Sequence, residues 1–173
     1  MIEMGVMATP VGPLTVAARD GRTCLVSFGG NEDAARAALA KWYGAQTLRA
    51  SSDPGGTATV LRRYFSGETD VLDDVEVEMN GTDFQRRVWA ALRAVKAGQT
   101  ASYAQVARNI GAPSAVRAVG TANGANPVAI VVPCHRIIGT NGTLTGYGGG
   151  LALKQWLLQH EGYLLTPISS LLK

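Results

Sequence analysis

An uninterrupted apolar run, Val128-Ala129-Ile130-Val131-Val132, closed on both sides by Pro127 and Pro133, restricts the fold of this chain more than any other feature. Its β-branched residues and its length read as a strand. Directly behind it stand Cys134, His135 and Arg136. A strand ending at Pro133 is expected to fix the thiol at the edge of a sheet rather than on a loose loop tip. The thiol is the best uncharged nucleophile among side chains, and its neighbour is the side chain that moves protons near neutral pH.

A chain of 173 residues can bury a core without staples, as one large domain or two small ones. No apolar stretch is long enough to span a bilayer, and Met1-Ile2-Glu3 does not begin a secretory leader, so a cytoplasmic protein is expected. Its two cysteines, Cys24 and Cys134, are not expected to pair in a reducing compartment. Its two histidines, His135 and His160, do not supply the spacing of a four-ligand zinc site, so no metal is expected. Cys24 lies in a strand-like stretch, Thr23 to Phe28, and reads as a small buried hydrophobe.

Charge divides the chain. Residues 1–80 carry 7 Lys/Arg against 11 Asp/Glu, whereas residues 81–173 carry 9 against 2. The basic second part suits a polyanion and the acidic first part does not. The division falls at Asn80-Gly81, where an alternating stretch, Val75 to Met79, is broken; the domain boundary is placed there. The expected architecture is an α/β N-terminal domain, residues 1–80, with a small antiparallel sheet and helices. A mostly α-helical domain with a helix-turn-helix follows over residues 81–173. In the first, Val11 to Ala18, a turn at Asp20-Gly21 and the Cys24 strand form a hairpin. Helices are expected from Asn31 through Tyr43 and from about Thr57 to Phe65, and Val75 to Met79 is expected to be a strand.

In the second, Thr82-Asp83-Phe84-Gln85 and Ser102-Tyr103-Ala104-Gln105 both have the form of capping boxes. The first opens a helix with Val88, Trp89 and Leu92 inward, and the second opens a helix to about Asn109. Gly111-Ala112-Pro113 turns into a third helix, Ser114 to about Asn123, with proline at its first position. The last two have the proportions of a helix-turn-helix. A hairpin is expected around Asn141-Gly142, and a final helix from Leu151 to His160.

Ala115, Ala118 and Ala122 recur at spacings that give the third helix a methyl-lined face, with Arg117 beside it and Val116 and Val119 as core contacts. Such a face suits close approach to nucleic acid or to another helix; the basic composition favours the former. Cys134 needs activation, because a free thiol is mostly protonated at neutral pH. Adjacent side chains on an extended strand point apart, so His135 reaches Cys134 only through a turn or a bridging water. An orienting acid must come from Asp83 or Glu161, and Asp83 already belongs to a helix start. Glu161, at the negative end of the last helix, is a charge placed against local preference. Gly146 to Gly150 does not fit a dinucleotide fingerprint but could close over a flat ligand, with Tyr147 as a stacking ring.

Together these segments resemble the O6-alkylguanine-DNA alkyltransferases. The resemblance is carried by Asn126-Pro127 through Arg136, by Arg117-Ala118-Val119-Gly120, by Gly146 to Leu151, and by Gly81 to Gln85 with Val88-Trp89. It covers about residues 81–163. It implies base flipping of O6-alkylguanine, and of O4-alkylthymine, from double-stranded DNA, then irreversible, single-turnover transfer of the alkyl group to Cys134. It further implies that the helix-turn-helix enters the minor groove, with Ala115, Ala118 and Thr121 near the DNA and Arg117 filling the vacated stack. Tyr103 would assist rotation and protonate the leaving base. His135 would act through a water, with Glu161 polarising it, and Asn126 would shape the turn carrying the thiol. Main chain near Val132, Cys134, Tyr147, Gly148 and Gly149 would read the base edge. No cofactor and no metal are implied. The implied protein is a monomer, with cooperative assembly on DNA left open, and it lies in the cytoplasm or on a nucleoid. A sensor of alkylated DNA with an inert thiol, a thiol hydrolase and a DNA-binding regulator are the competing readings.

Overall fold

The structure is a computed structural model and describes residues 1–163. Its contacts form two compact units, Met1–Gly81 with Pro127–Val131, and Thr82–Asn126 with the chain from Val132 onward.

The first unit is built on a four-stranded sheet in the order β3-β2-β1-β4, from β1 (Ile2–Met7), β2 (Leu14–Arg19), β3 (Arg22–Phe28) and β4 (Leu48–Ala50). Asp20 and Gly21 both take positive φ, 51° and 79°, as the tight turn between β2 and β3 requires. The sheet is mixed rather than antiparallel: β4 pairs parallel to β1. Neither β1 nor β4 was expected from the sequence. Strand β4 is only three residues long and sits at the sheet edge, where local pattern carries least information. Helix α1 (Glu32–Tyr43) is capped by the Asn31 side chain, which accepts from the Ala34 N–H at 3.0 Å. Ala35 and Leu39 bring its apolar side onto Ile2, Met4, Ala17, Cys24 and Leu25. Helix α2 (Thr57–Phe65) is tied to β3 by a buried contact of 2.5 Å between the Thr57 and Thr23 hydroxyls.

Two expected strands of this unit are absent. Val75 to Met79 meets β3 through a single parallel bridge, Thr23 with Val77, because Val75 continues from a 3-10 turn at Val71–Asp74. The apolar run after Pro127 is a buried turn, touching β3 only where Val128 bridges Val26. Ile130 stands there at φ 70°, a conformation that rules out an extended strand. Continuous apolarity identified burial, and burial does not distinguish a strand from a packed turn.

The second unit begins with α3 (Asp83–Arg93), whose capping box is complete: the Thr82 side chain accepts from Gln85 N–H and the Gln85 side chain accepts from Thr82 N–H. Val88, Trp89 and Leu92 are buried, and the Trp89 indole donates to the Ala122 carbonyl at 2.9 Å. The strand β5 (Ala101–Ser102) leads directly into α4 (Tyr103–Asn109), closed by a second complete capping box at Ser102 and Gln105. Helix α5 (Val116–Gly124) starts two residues later than the proline rule suggests: Ala112 to Ala115 form a turn, with the Ala115 N–H donating to the Ala112 carbonyl at 2.9 Å. Strand β6 (Ile137–Ile138) pairs parallel to β5, with Ala101 opposite Ile137. Asn141-Gly142 lies in a turn closed by Gly139 N–H to the Thr143 carbonyl at 2.8 Å, with no second strand behind it. Helix α6 (Leu151–His160) buries Lys154, Leu157 and Leu158.

Candidate active site

Cys134 does not stand at a strand end. Cys134–Arg136 form a 3-10 turn, opened by the Cys134 N–H donating to the Val132 carbonyl at 2.8 Å. The turn lets three consecutive side chains project separately. His135 is wholly buried, and Cys134 is 8 % exposed. Asn126 braces the approach, its Nδ2 donating to the same Val132 carbonyl at 2.7 Å. Both lone pairs of that carbonyl are thereby engaged.

Behind the turn lies a buried triad of His135, Arg136 and Glu161. Glu161, the C-cap residue of α6, has its carboxylate enclosed by His135 Nε2 at 2.7 Å from Oε1, Arg136 Nη2 at 2.9 Å from Oε1, and Arg136 Nε at 2.9 Å from Oε2. Arg136 also donates through Nη1 to the Val95 carbonyl at 2.6 Å. Gly98, at φ 83°, passes so near that a Cβ there would lie 3.0 Å from the Glu161 carbonyl oxygen. Burial raises the proton affinity of the Glu161 carboxyl, but the bonds from His135 and Arg136 outweigh it and hold the group down at about 2.

One carboxylate already faces one permanent guanidinium, so a second buried cation would be uncompensated. His135 is accordingly neutral: burial pushes its pKa down, and Arg136 and Lys154 add to that against the pull of Glu161. With Nε2–H directed at Glu161, the unprotonated nitrogen is Nδ1, which is buried and has no protein hydrogen-bond partner among the described residues. Burial likewise pushes the Cys134 thiol up, opposed by the Asn126 amide, Lys154 and the backbone N–H groups of Cys134 and His135. The resting sulfur is therefore a thiol, which must lose its proton as it reacts.

Tyr147 is part of the same neighbourhood. Burial pushes its phenol well up, and the charge of Glu161 adds to that. Tyr103, the first residue of α4, has its ring 3.9 Å from where a Cβ on Gly120 of α5 would stand, and Thr145 Oγ1 donates to its hydroxyl at 3.3 Å. Gly148 and Gly149 are exposed just before α6.

The helix α5 surface differs from the expected methyl face. Ala122 is buried at the Trp89 anchor, Ala115 precedes the helix and is half-buried, and Val116, expected in the core, is 38 % exposed. Val119 alone of the two valines is buried. Because α5 starts at Val116, Ala115 falls outside the helix. The outward residues are Val116, Arg117, Ala118 and Thr121, with the Thr121 hydroxyl donating to the Arg117 carbonyl at 3.2 Å.

Arg136 and Lys154 are the site residues that sequence reasoning missed. Lys154 is fully buried, with Nζ donating to the Ile137 carbonyl at 2.5 Å and the Thr145 carbonyl at 2.8 Å. A signal existed: Lys154 falls three after Leu151 and four before Leu158, on the apolar stripe of α6 where a lysine has no local reason to be. Among the described residues no group of three or more His, Cys, Asp or Glu could hold a metal ion, and no helix is long and apolar enough to cross a membrane.

Residues 83–163 match the family model described as 6-O-methylguanine DNA methyltransferase, DNA binding domain. The chain is 48 % identical over 162 residues to a methylated-DNA–protein-cysteine methyltransferase of Salmonella typhimurium, covering 92 % of this chain and 95 % of that one. It is 44 % identical over 164 residues to the protein of the same name from Mycobacterium tuberculosis, covering 93 % of each. Among solved structures, M. tuberculosis OGT in complex with DNA matches with a TM-score of 0.77 and 41 % identity over 92 % of each chain.

Proposed function

Because the chain belongs to the methylated-DNA–protein-cysteine methyltransferases, we propose that it repairs DNA by taking the alkyl group of O6-alkylguanine onto Cys134, once per molecule. The observation that carries this assignment of roles is the buried His135, whose Nε2 meets Glu161 at 2.7 Å and so leaves Nδ1 as the basic nitrogen, next in the chain to the buried thiol of Cys134. Such a base can receive the thiol proton through one water while Glu161 stabilises the imidazolium that forms. The sulfur attacks the alkyl carbon in line, the bond from that carbon to O6 breaks, and its electron pair leaves with the base. Tyr103 supplies a proton to the departing guanine. The product is a thioether and a repaired guanine; a thiolate is a poor leaving group from an unactivated thioether carbon, so Cys134 is consumed and no cofactor is needed.

Chemistry on a duplex base requires that it be turned out of the stack. Helices α4 and α5 act in this reading as a helix-turn-helix lying in the minor groove of double-stranded DNA. The outward Ala118 and Thr121, with Ala115 at the helix entrance, lie against the groove, and Arg117 fills the vacated stack. Asn126 keeps the thiol turn in shape, while main chain at Cys134 and Tyr147 to Gly149 reads the base edge; the Val132 carbonyl, already doubly engaged, instead holds Cys134 and Asn126 together. Residues 81–173 form the DNA-binding and alkyl-transfer domain and residues 1–80 the α/β domain, in a protein acting as a monomer in the cytoplasm or on the nucleoid. O4-alkylthymine is a second substrate of the same pocket.

Intact-mass spectrometry after mixing with duplex DNA containing O6-methylguanine tests this. One added methylene unit on the peptide holding Cys134, absent in Cys134→Ala, is the expected result. Tight binding without an adduct would convert the reading into that of a sensor, and repeated turnover of an ester into that of a hydrolase.

A further inference from the structure

Tyr103 is held at both ends. Its backbone follows β5, which pairs with β6 through Ala101 opposite Ile137 and Ser102 opposite Ile138. Its phenol accepts from the Thr145 hydroxyl at 3.3 Å. Thr145 is itself exposed, in the turn-rich stretch between β6 and α6, and a hydroxyl on an unsupported loop would position nothing. Its carbonyl, however, is gripped by Lys154 Nζ at 2.8 Å, and the same ammonium grips the Ile137 carbonyl at 2.5 Å. Ile137 is the residue that ends the Cys134–Arg136 turn. A closed circuit results: from the thiol turn to Ile137, across Lys154 to Thr145, from its hydroxyl to Tyr103, and back through β5 to β6.

A fully buried ammonium is costly, and a methionine would fill the same volume without that cost. Two main-chain carbonyls offset part of it. Burial still pushes Lys154 down to about 8, so at neutral pH it remains mostly protonated and both bonds are charge-assisted. Retaining a lysine there makes sense if clamping these two carbonyls matters to the reaction.

We propose that Thr145 is a positioning residue for alkyl transfer: clamped by Lys154 to the exit of the thiol turn, it holds the Tyr103 phenol at a fixed place relative to Cys134. The inference rests on the reading in which Tyr103 hands a proton to the leaving base. Thr145→Val removes the hydroxyl at nearly constant volume on an exposed site, and Thr145→Ser keeps it. The measurement is the single-turnover transfer rate from duplex O6-methylguanine DNA, with each variant made in the native and in the Tyr103→Phe chain. Thr145→Val should slow native transfer by about three- to tenfold, the effect of losing one hydrogen bond. Thr145→Ser should restore it, and in Tyr103→Phe chains Thr145→Val should change almost nothing. Unaltered transfer by Thr145→Val, or the same slowing in both backgrounds, would overturn the inference, the latter marking a mere loop effect. Absence of transfer by the native chain would instead bring down the underlying reading, and this inference with it.

Discussion

Glu161→Gln keeps the size of a buried side chain and removes its charge. The carboxylate accepts one bond from His135 and two from Arg136. The least disruptive amide orientation keeps oxygen at the Oε1 position, preserving the bonds from His135 and Arg136 Nη2, and sets an NH2 against Arg136 Nε. Two donors then face each other and the buried guanidinium loses its counter-charge. The drop of the Glu161 carboxyl from an ordinary 4.5 to about 2 corresponds to about 3 kcal/mol of net stabilisation of the charged form. That agrees with the roughly 3–5 kcal/mol expected for breaking a buried pair. For a chain of this size the melting midpoint should fall by about 6–12 °C. The sign with pH follows from the depressed value: the Glu161 contribution is complete above 4.5 and is lost as pH falls through about 2. The gap between native and variant stability should therefore be constant at neutral pH and close below 4.5. His135 contributes in both chains: its folded value is depressed below 6.5, so stability declines as the unfolded chain takes up that proton below 6.5. Transfer should also slow by about 100-fold, because the imidazolium formed at His135 loses its carboxylate. Differential scanning fluorimetry across pH and single-turnover kinetics measure both. A variant melting within about 2 °C of native at pH 7, or a gap that persists undiminished below 4.5, would refute the assignment of Glu161 as the charged partner of this cluster.

Asn126→Ala removes the Nδ2 bond to the Val132 carbonyl and one of the groups that lower the Cys134 thiol. The pH dependence of Cys134 alkylation by iodoacetamide should shift upward, and transfer to Cys134 should slow. Trp89→Phe keeps the ring in the core but leaves the Ala122 carbonyl without its 2.9 Å donor; urea denaturation should show a loss of about 1–3 kcal/mol.

The helices of the second unit were legible because their signals are local. A capping box lies within four residues, and those at Thr82 and Ser102 mark the observed helix starts. The Asp20-Gly21 turn was legible for the same reason. Strand β4 and the segments at Val75 and Val128 were not, because a strand is completed by a partner distant in sequence, and alternation or apolarity says only that a segment can be buried.

The same distinction runs through the active site. Cys134 and His135 announce themselves as neighbours in the chain, and Glu161 stood out because its charge opposes the helix end that carries it. Arg136 carries no such signal: next to a histidine in a basic stretch of sequence, an arginine looks like one more solvated cation. Its burial at 3 % exposure, with its guanidinium spread along the carboxylate, helps hold Glu161 ionised and adds to the burial that pushes His135 down. It supplies a permanent counter-charge to Glu161, and in the proposed mechanism His135, kept neutral mainly by burial, acts as the base. With a neutral residue at 136 the buried carboxylate would lose that counter-charge, and burial at His135 would be opposed by Glu161 with less against it. In the proposed mechanism, activation of Cys134 therefore draws on a residue whose importance lies in its approach to Glu161, 25 positions on in the chain, and no local pattern in the sequence encodes that approach.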